Sequence, residues 1–290
     1  MKIIFRRKRI WLIIVLILLA TPLIFFYVMM SQFSWSQKEI DEYFKTKKMK
    51  PVFATYTLNG RTIFYSSIGS DTLPMVLFVH GAPGSWTDYI KYFGDENLIS
   101  KSHLVAPDRP GYGNSGVGYP VTSIEEQVEL LKPLFALNKS HQPIILLGHS
   151  YGGPIAARMA IDYPDQIKAM ILLAPAIDPD NEKMFWINKP ASWKAMQYFL
   201  PAIMLTAQKE KETHAAELKK MENDWGKIAA STIYMYGDKD GLVPPVNVEY
   251  AKKKITNAPL EVIELPNENH FIPWTQQDSV TRVILRYIEK

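Results

Sequence analysis

Ser150 lies in the hexapeptide GHSYGG, residues 148–153, with Gly148 and Gly152 two positions to either side. The apolar run PIILLG leads into it and the helix-forming run GPIAARMAIDYP leads out. A chain that turns from a buried strand into a helix over so few residues brings backbones together, and glycine leaves them room. The turn projects the serine hydroxyl at the mouth of a helix. There the N–H of Tyr151 is unpaired and the helix dipole favours negative charge. Pro154 falls in the first helical turn, where its missing N–H costs little. This is how a chain presents a nucleophile beside an anion site. A serine hydroxyl is a weak nucleophile near neutral pH, however. It needs a base, commonly an imidazole oriented by a carboxylate.

The chain has six histidines. His270 stands in PNENHF, just after the strand-like run LEVIELP, and Asp240 stands in YGDKDGLVPP, just after STIYMYG. Asp238 in the same loop is the rival acid. Serine, acid and histidine then follow one another along the chain, each on a loop after its own strand. In an open parallel sheet, reacting groups gather at those carboxyl ends. His80 and His149 adjoin the same loops and are expected to pack and brace them. His103, His141 and His214 are expected to be exposed or locally hydrogen-bonded. No histidine pair has helical metal-ligand spacing, so neither a metal nor a cofactor is expected. GYGNSG, residues 111–116, fits a dinucleotide-binding pattern. Such a motif opens directly into a helix, whereas here VGYPVT intervenes before the capping signal at Ser123.

The elements that must carry these residues are legible in order. Asn59-Gly60 separates two strand-like runs, a strong hairpin signal. PMVLFVH, SHLVAPD and PIILLG are continuous apolar runs, as expected of strands covered on both faces. AMILLAP, STIYMYG and LEVIELP are further strands. TSIEEQVELLKPLFALN, GPIAARMAIDYP and the closing TQQDSVTRVILRYIEK read as helices. This alternation argues for an α/β fold, a mostly parallel central sheet with helices on both faces. About fifty residues, 178–227, break the rhythm. They contain no strand and form a helical insertion after a sheet strand.

With these motifs in order, the sequence resembles the α/β-hydrolases over roughly residues 52–288. GHSYGG resembles the family's nucleophile elbow and HGAPGS, residues 80–85, its HG-x-P loop. DRPGYGNS, residues 108–115, resembles its D-x-P-G-x-G-x-S loop, and GDKDGLVPP and NHF resemble its acid and histidine loops. The resemblance implies a Ser150–Asp240–His270 triad, with Asp240 at the last position of G-x-x-D. It implies Ala82 N–H as a second oxyanion donor beside Tyr151 N–H. The helical insertion would form a lid whose Met184, Phe185, Trp186, Trp193, Met196, Tyr198, Phe199 and Met204 either pack it onto the body or line an apolar acyl pocket. The implied activity is a serine esterase acting on a small-molecule ester or acyl substrate. An amidase or aminopeptidase, or a thioesterase, would use the same apparatus. A non-catalytic binding protein on this fold is the reading of another class, but no triad residue is lost.

The N-terminus sets the expected location. Ile10–Met30 contains no charged residue. Its 21 residues span roughly 31 Å as a helix, close to a bilayer's hydrocarbon core. Residues 1–9 hold five of the 33 basic residues. We therefore expect a single-pass anchor at 10–30, with a cleaved signal peptide as the competing reading, a linker at 31–51 and a domain at 52–290. The N-terminus would be cytoplasmic and the domain extracytoplasmic. Setting those five aside leaves 28 basic residues against 29 acidic ones. The rest of the chain thus has no positive excess for nucleic acid.

Overall fold

The computed structural model describes residues 35–183, 188–198 and 200–289, together with positions 11 and 21. The basic terminus and the anchor segment 10–30 otherwise lie outside these residues, as do Met184, Phe185, Trp186 and Phe199. Among the described residues no helix is long and apolar enough to cross a membrane. The chain divides into two compact units, residues 1–45 and 46–290. The first contains helix α1, Gln37–Phe44, closed by a reciprocal cap between Ser36 and Glu39.

The second unit is built on an eight-stranded sheet in the order β1-β2-β4-β3-β5-β6-β7-β8. Val52–Leu58 (β1) and Arg61–Ile68 (β2) form the hairpin that Asn59-Gly60 announces, both turn residues having positive φ. Strand β2 pairs antiparallel with β4, His103–Pro107. The remaining pairs are parallel. They join Met75–Val79 (β3), Ile144–His149 (β5), Ile167–Leu173 (β6), Ser231–Gly237 (β7) and Leu260–Leu265 (β8). Every residue of β3, β4 and β5 is buried, which is why their sequences run apolar without alternation.

The helices are α2 (Ile124–Leu131), α3 (Gly152–Asp162), α4 (Ala202–Met221), α5 (Asn247–Lys254) and α6 (Gln277–Ile288), with several single-turn pieces. The run read as one helix from Ser123 is shorter. After Leu131 it tightens into a 3₁₀ segment, Lys132–Leu137, because Pro133 has no N–H to continue the α ladder. GYGNSG forms turns, and the next helix opens only at Ile124. The insertion is helical, as expected, but Trp193 and Tyr198 do not pack it onto the body. They are 64% and 88% exposed. Helix α4 packs inward through Leu218 and Met221 and also buries five polar residues, Thr206, Gln208, Glu210, His214 and Glu217.

The strand order reverses at β3: β4 lies on one side of it and β5 on the other. A crevice opens at such a switch point, outside the carboxyl ends of β3 and β5. The HGAPGS loop leaves β3 there and Ser150 follows β5.

The elbow depends on close backbone approach. A Cβ on Gly152 would collide with the carbonyl oxygens of Val79 and His80, and one on Gly148 would lie 2.5 Å from Gly152 O. We expect Gly152→Ala to destabilise the fold by at least about 1–3 kcal/mol, since strand backbone cannot yield. Gly241→Ala, where an added Cβ meets nothing within 4 Å, should leave stability unchanged. Thermal denaturation of the two variants measures both.

Candidate active site

Ser150 adopts φ 52°, a left-handed conformation that costs a non-glycine residue about 1–3 kcal/mol. The turn is held by Ser150 N–H donating to Leu173 O at 3.0 Å, and by Gly153 N–H (2.9 Å) and Ala176 N–H (3.2 Å) donating to Ser150 O. The backbone of Ser150 is therefore tied on both sides, at the head of α3.

Asp240 and His270 come together from the ends of β7 and β8. His270 Nδ1–H donates to Asp240 Oδ2 at 2.7 Å, and both side chains are buried. The other carboxylate oxygen, Oδ1, accepts from Leu242 and Val243 N–H, each at 2.8 Å. A carboxylate so satisfied is acceptor only, so the imidazole proton sits on Nδ1 and Nε2 is left bare as a base. The two loops press together: Lys239 N–H donates to Glu268 O at 2.9 Å. Asp238, the rival acid, is exposed.

The histidine loop is tied to the elbow by His149, the residue before the serine. Its ring lies 4.9 Å from that of His270, and its Nε2–H donates to His270 O at 3.0 Å. Burial, then the neighbouring His270, lowers the His149 pKa to about 3, so this imidazole stays neutral. The loop after β3 closes the other side. A Cβ on Gly81 would lie 3.2 Å from Ser150 Cβ, which puts Gly81-Ala82 against the elbow. Among the described residues neither the Ala82 nor the Tyr151 N–H has a protein acceptor. The expected bracing by His80 and His149 holds, since both are buried and hydrogen-bonded.

His214 differs from expectation. It is buried, paired to Glu182 at 3.0 Å and stacked on Tyr151 with ring centroids 4.4 Å apart. Burial opposes the charge on Glu182, but its bonds to His214 and Lys211 outweigh this and hold the pKa at about 2. Sequence reading also missed the buried Arg109–Glu210 pair, Nη1 to Oε1 at 2.6 Å. Nothing in KEKETH marks Glu210 off from its charged neighbours. Only the tertiary fold turns that one carboxylate inward. Among the described residues no cluster of side chains fit to hold a metal ion is present.

Comparison with known proteins shows what this chain is similar to. An α/β-hydrolase-fold family profile matches residues 74–204. The chain is 22% identical over 279 residues to proline iminopeptidase PfmaB of Pestalotiopsis fici, covering 80% of this chain and 98% of that protein. It is 37% identical over 81 residues to lipase LipV of Mycobacterium tuberculosis, covering 28% of this chain and 30% of that one. A solved structure from Acinetobacter baumannii AYE, provisionally designated a lipase, superposes with a TM-score of 0.69 at 20% identity, covering 88% of this chain and 97% of that one.

The buried imidazole at 149 makes a prediction about acid stability. Its folded pKa of about 3 lies below the ordinary 6.5. Between those values the unfolded chain takes up a proton that the folded one refuses. Its stabilising contribution is therefore complete above pH 6.5 and is lost as pH falls toward 3, by up to about 1.4 kcal/mol per pH unit. Asp108 has the opposite sign, since burial raises its pKa to about 6. The His149 share is thus read as a difference. In urea unfolding over a pH series, the gap in stability between the wild type and His149→Gln should narrow or reverse in favour of the variant as pH falls below 6.5. A constant gap would contradict the assignment.

Proposed function

We propose that this chain, which adopts the α/β-hydrolase fold, is a serine hydrolase that cleaves carboxylic esters through an acyl-enzyme. The observation that carries the reading is the buried Asp240–His270 bond of 2.7 Å, tied through His149 to the turn that presents Ser150. His270 Nε2 takes the serine proton as Oγ bonds to the ester carbonyl carbon. The carbonyl oxygen becomes an oxyanion facing Ala82 and Tyr151 N–H. His270 then protonates the departing alkoxide as the ester C–O bond breaks. Water, deprotonated by the same nitrogen, attacks the acyl-serine. The acid leaves and Oγ recovers its proton. Asp240 keeps the imidazole in the required tautomer and offsets its transient positive charge. Esters are favoured over amides because an alkoxide departs more readily than an amine. The Pestalotiopsis fici iminopeptidase makes amide substrates the comparison to run beside them.

A fluorophosphonate probe should label the wild type and not Ser150→Ala, and Asp240→Asn should lower kcat on a p-nitrophenyl ester by about 10³–10⁴. A wild-type rate in His270→Ala sinks the role of His270. Faster cleavage of a proline arylamide than of any ester tried would move the substrate class to peptides.

We further propose that the uncharged segment Ile10–Met30 anchors the chain in a membrane, with residues 1–9 cytoplasmic. In cells, the full chain should fractionate with membranes and resist carbonate extraction. Protease added outside intact spheroplasts should digest the domain; protection of the domain reverses the orientation.

A further inference from the structure

The C=O of Gly81 and the N–H of Ala82 belong to one peptide unit, which is planar and trans, so the two groups point in opposite directions. Whatever grips the carbonyl therefore aims the N–H. Gly81 O accepts from Arg109 Nη2 at 2.9 Å and from His80 Nδ1 at 2.8 Å. His80 is the donor in the second bond because its Nε2 already accepts from Arg109 N–H at 2.8 Å. Burial, then Arg109, pushes the His80 pKa well below the ordinary value and keeps the ring in that neutral tautomer. Arg109 Nε also holds the preceding carbonyl, His80 O, at 2.8 Å.

Arg109 is itself held from the insertion. Its Nη1 donates to Glu210 Oε1 at 2.6 Å and to Gln127 Oε1 at 2.7 Å, and its Nη2 to Glu210 Oε2 at 3.1 Å. All five guanidinium N–H groups are thus used, and both Arg109 and Glu210 are fully buried. Glu210 is satisfied in turn by Tyr112 OH (2.5 Å) and Gln127 Nε2 (2.9 Å). One helical turn further along α4, His214 stacks on the ring of Tyr151, which the Arg109 guanidinium approaches to 4.8 Å.

We infer that Glu210, on helix α4 of the insertion, is a positioning residue for the oxyanion site: through Arg109 it sets the orientation of the Gly81–Ala82 peptide. The inference rests on the proposed serine hydrolase reading, in which Ala82 N–H receives the oxyanion. The insertion on this account helps to complete the catalytic geometry. The same network predicts which kinetic constant suffers. A misaimed N–H is missed only when the carbonyl oxygen becomes charged, so kcat falls and KM does not.

The test uses the full chain and the double variant Arg109→Met/Glu210→Leu, which leaves no unpaired charge behind. Circular dichroism reports folding. Kinetics on a p-nitrophenyl ester give kcat and KM, and a trifluoromethyl ketone, whose serine adduct carries an oxyanion, reports the donor site. We expect kcat about 10²-fold lower, the scale of one lost donor, with KM within about threefold of the wild type. Ketone affinity should fall in parallel. A merely structural role would not move ketone affinity while sparing KM. A folded double variant with wild-type kcat and ketone affinity, or a loss confined to KM, overturns the inference. Should the double variant not fold, Tyr112→Phe decides, since it keeps the ion pair and removes one bond to Glu210. Its kcat should drop about 3–10-fold at constant KM, and an unchanged kcat overturns the inference. Full ester activity in Ser150→Ala would instead remove the underlying reading, whatever the Glu210 variants do.

Discussion

The site depends on how closely the first turn of α3 sits on the end of β3. Gly152 is pressed against the carbonyls of Val79 and His80, and Gly81 in turn lies against Ser150 and His149. This contact brings the loop after β3 against the loop after β5. It requires both glycines, a serine in a left-handed conformation, and a sheet rigid enough to impose that strain. The fully buried strands β3 and β5 supply the rigidity, paired in register from Val76–Ile145 to Val79–Gly148. The strain of about 1–3 kcal/mol at Ser150 is small beside the burial of those strands.

Around that contact the fold keeps charge where it is fully answered. Asp240 has acceptor bonds on both oxygens, Arg109 spends every donor, and Glu210 accepts four bonds. Breaking one side of a buried ion pair is far more costly than replacing both partners, so such a network makes its members interdependent. The imidazoles at 80 and 149 take the other course and stay neutral under burial. Only His270 combines a proton on Nδ1 oriented by a buried carboxylate with an Nε2 that no protein group engages among the described residues. Five of the six histidines thus differ from the sixth by their surroundings, not by their chemistry.

The insertion shows where sequence periodicity is a poor guide. Its aromatic residues suggest an apolar seam, yet Trp193 and Tyr198 face solvent. Helix α4 instead buries Glu210, His214 and Glu217, along with Thr206 and Gln208. Glu217 Oε2 accepts from Ile124 N–H at 3.1 Å, and Thr206 Oγ1 donates to Gly111 O at 2.9 Å. Besides the core contacts of Leu218 and Met221, the insertion is docked by these hydrogen bonds to loop backbone, which leave no mark in the hydrophobic pattern.

Much of the architecture was legible from the chain alone because strand burial and tight turns constrain residue type locally. Continuous apolar runs announced β3, β4 and β5, Asn59-Gly60 announced the hairpin, and the glycines around Ser150 announced a close backbone approach. The order serine, acid, histidine followed from motifs at strand ends. The choice of Asp240 over Asp238 became physical only when the fold buried one against His270 and left the other in water. The partners of Arg109 were beyond sequence reading for the same reason. A carboxylate 101 residues away carries no local mark of its partner. Residue type and spacing thus determined which groups had to stand at turns, but only long-range packing decided which charges left water and which met, since desolvation and pairing belong to three-dimensional surroundings.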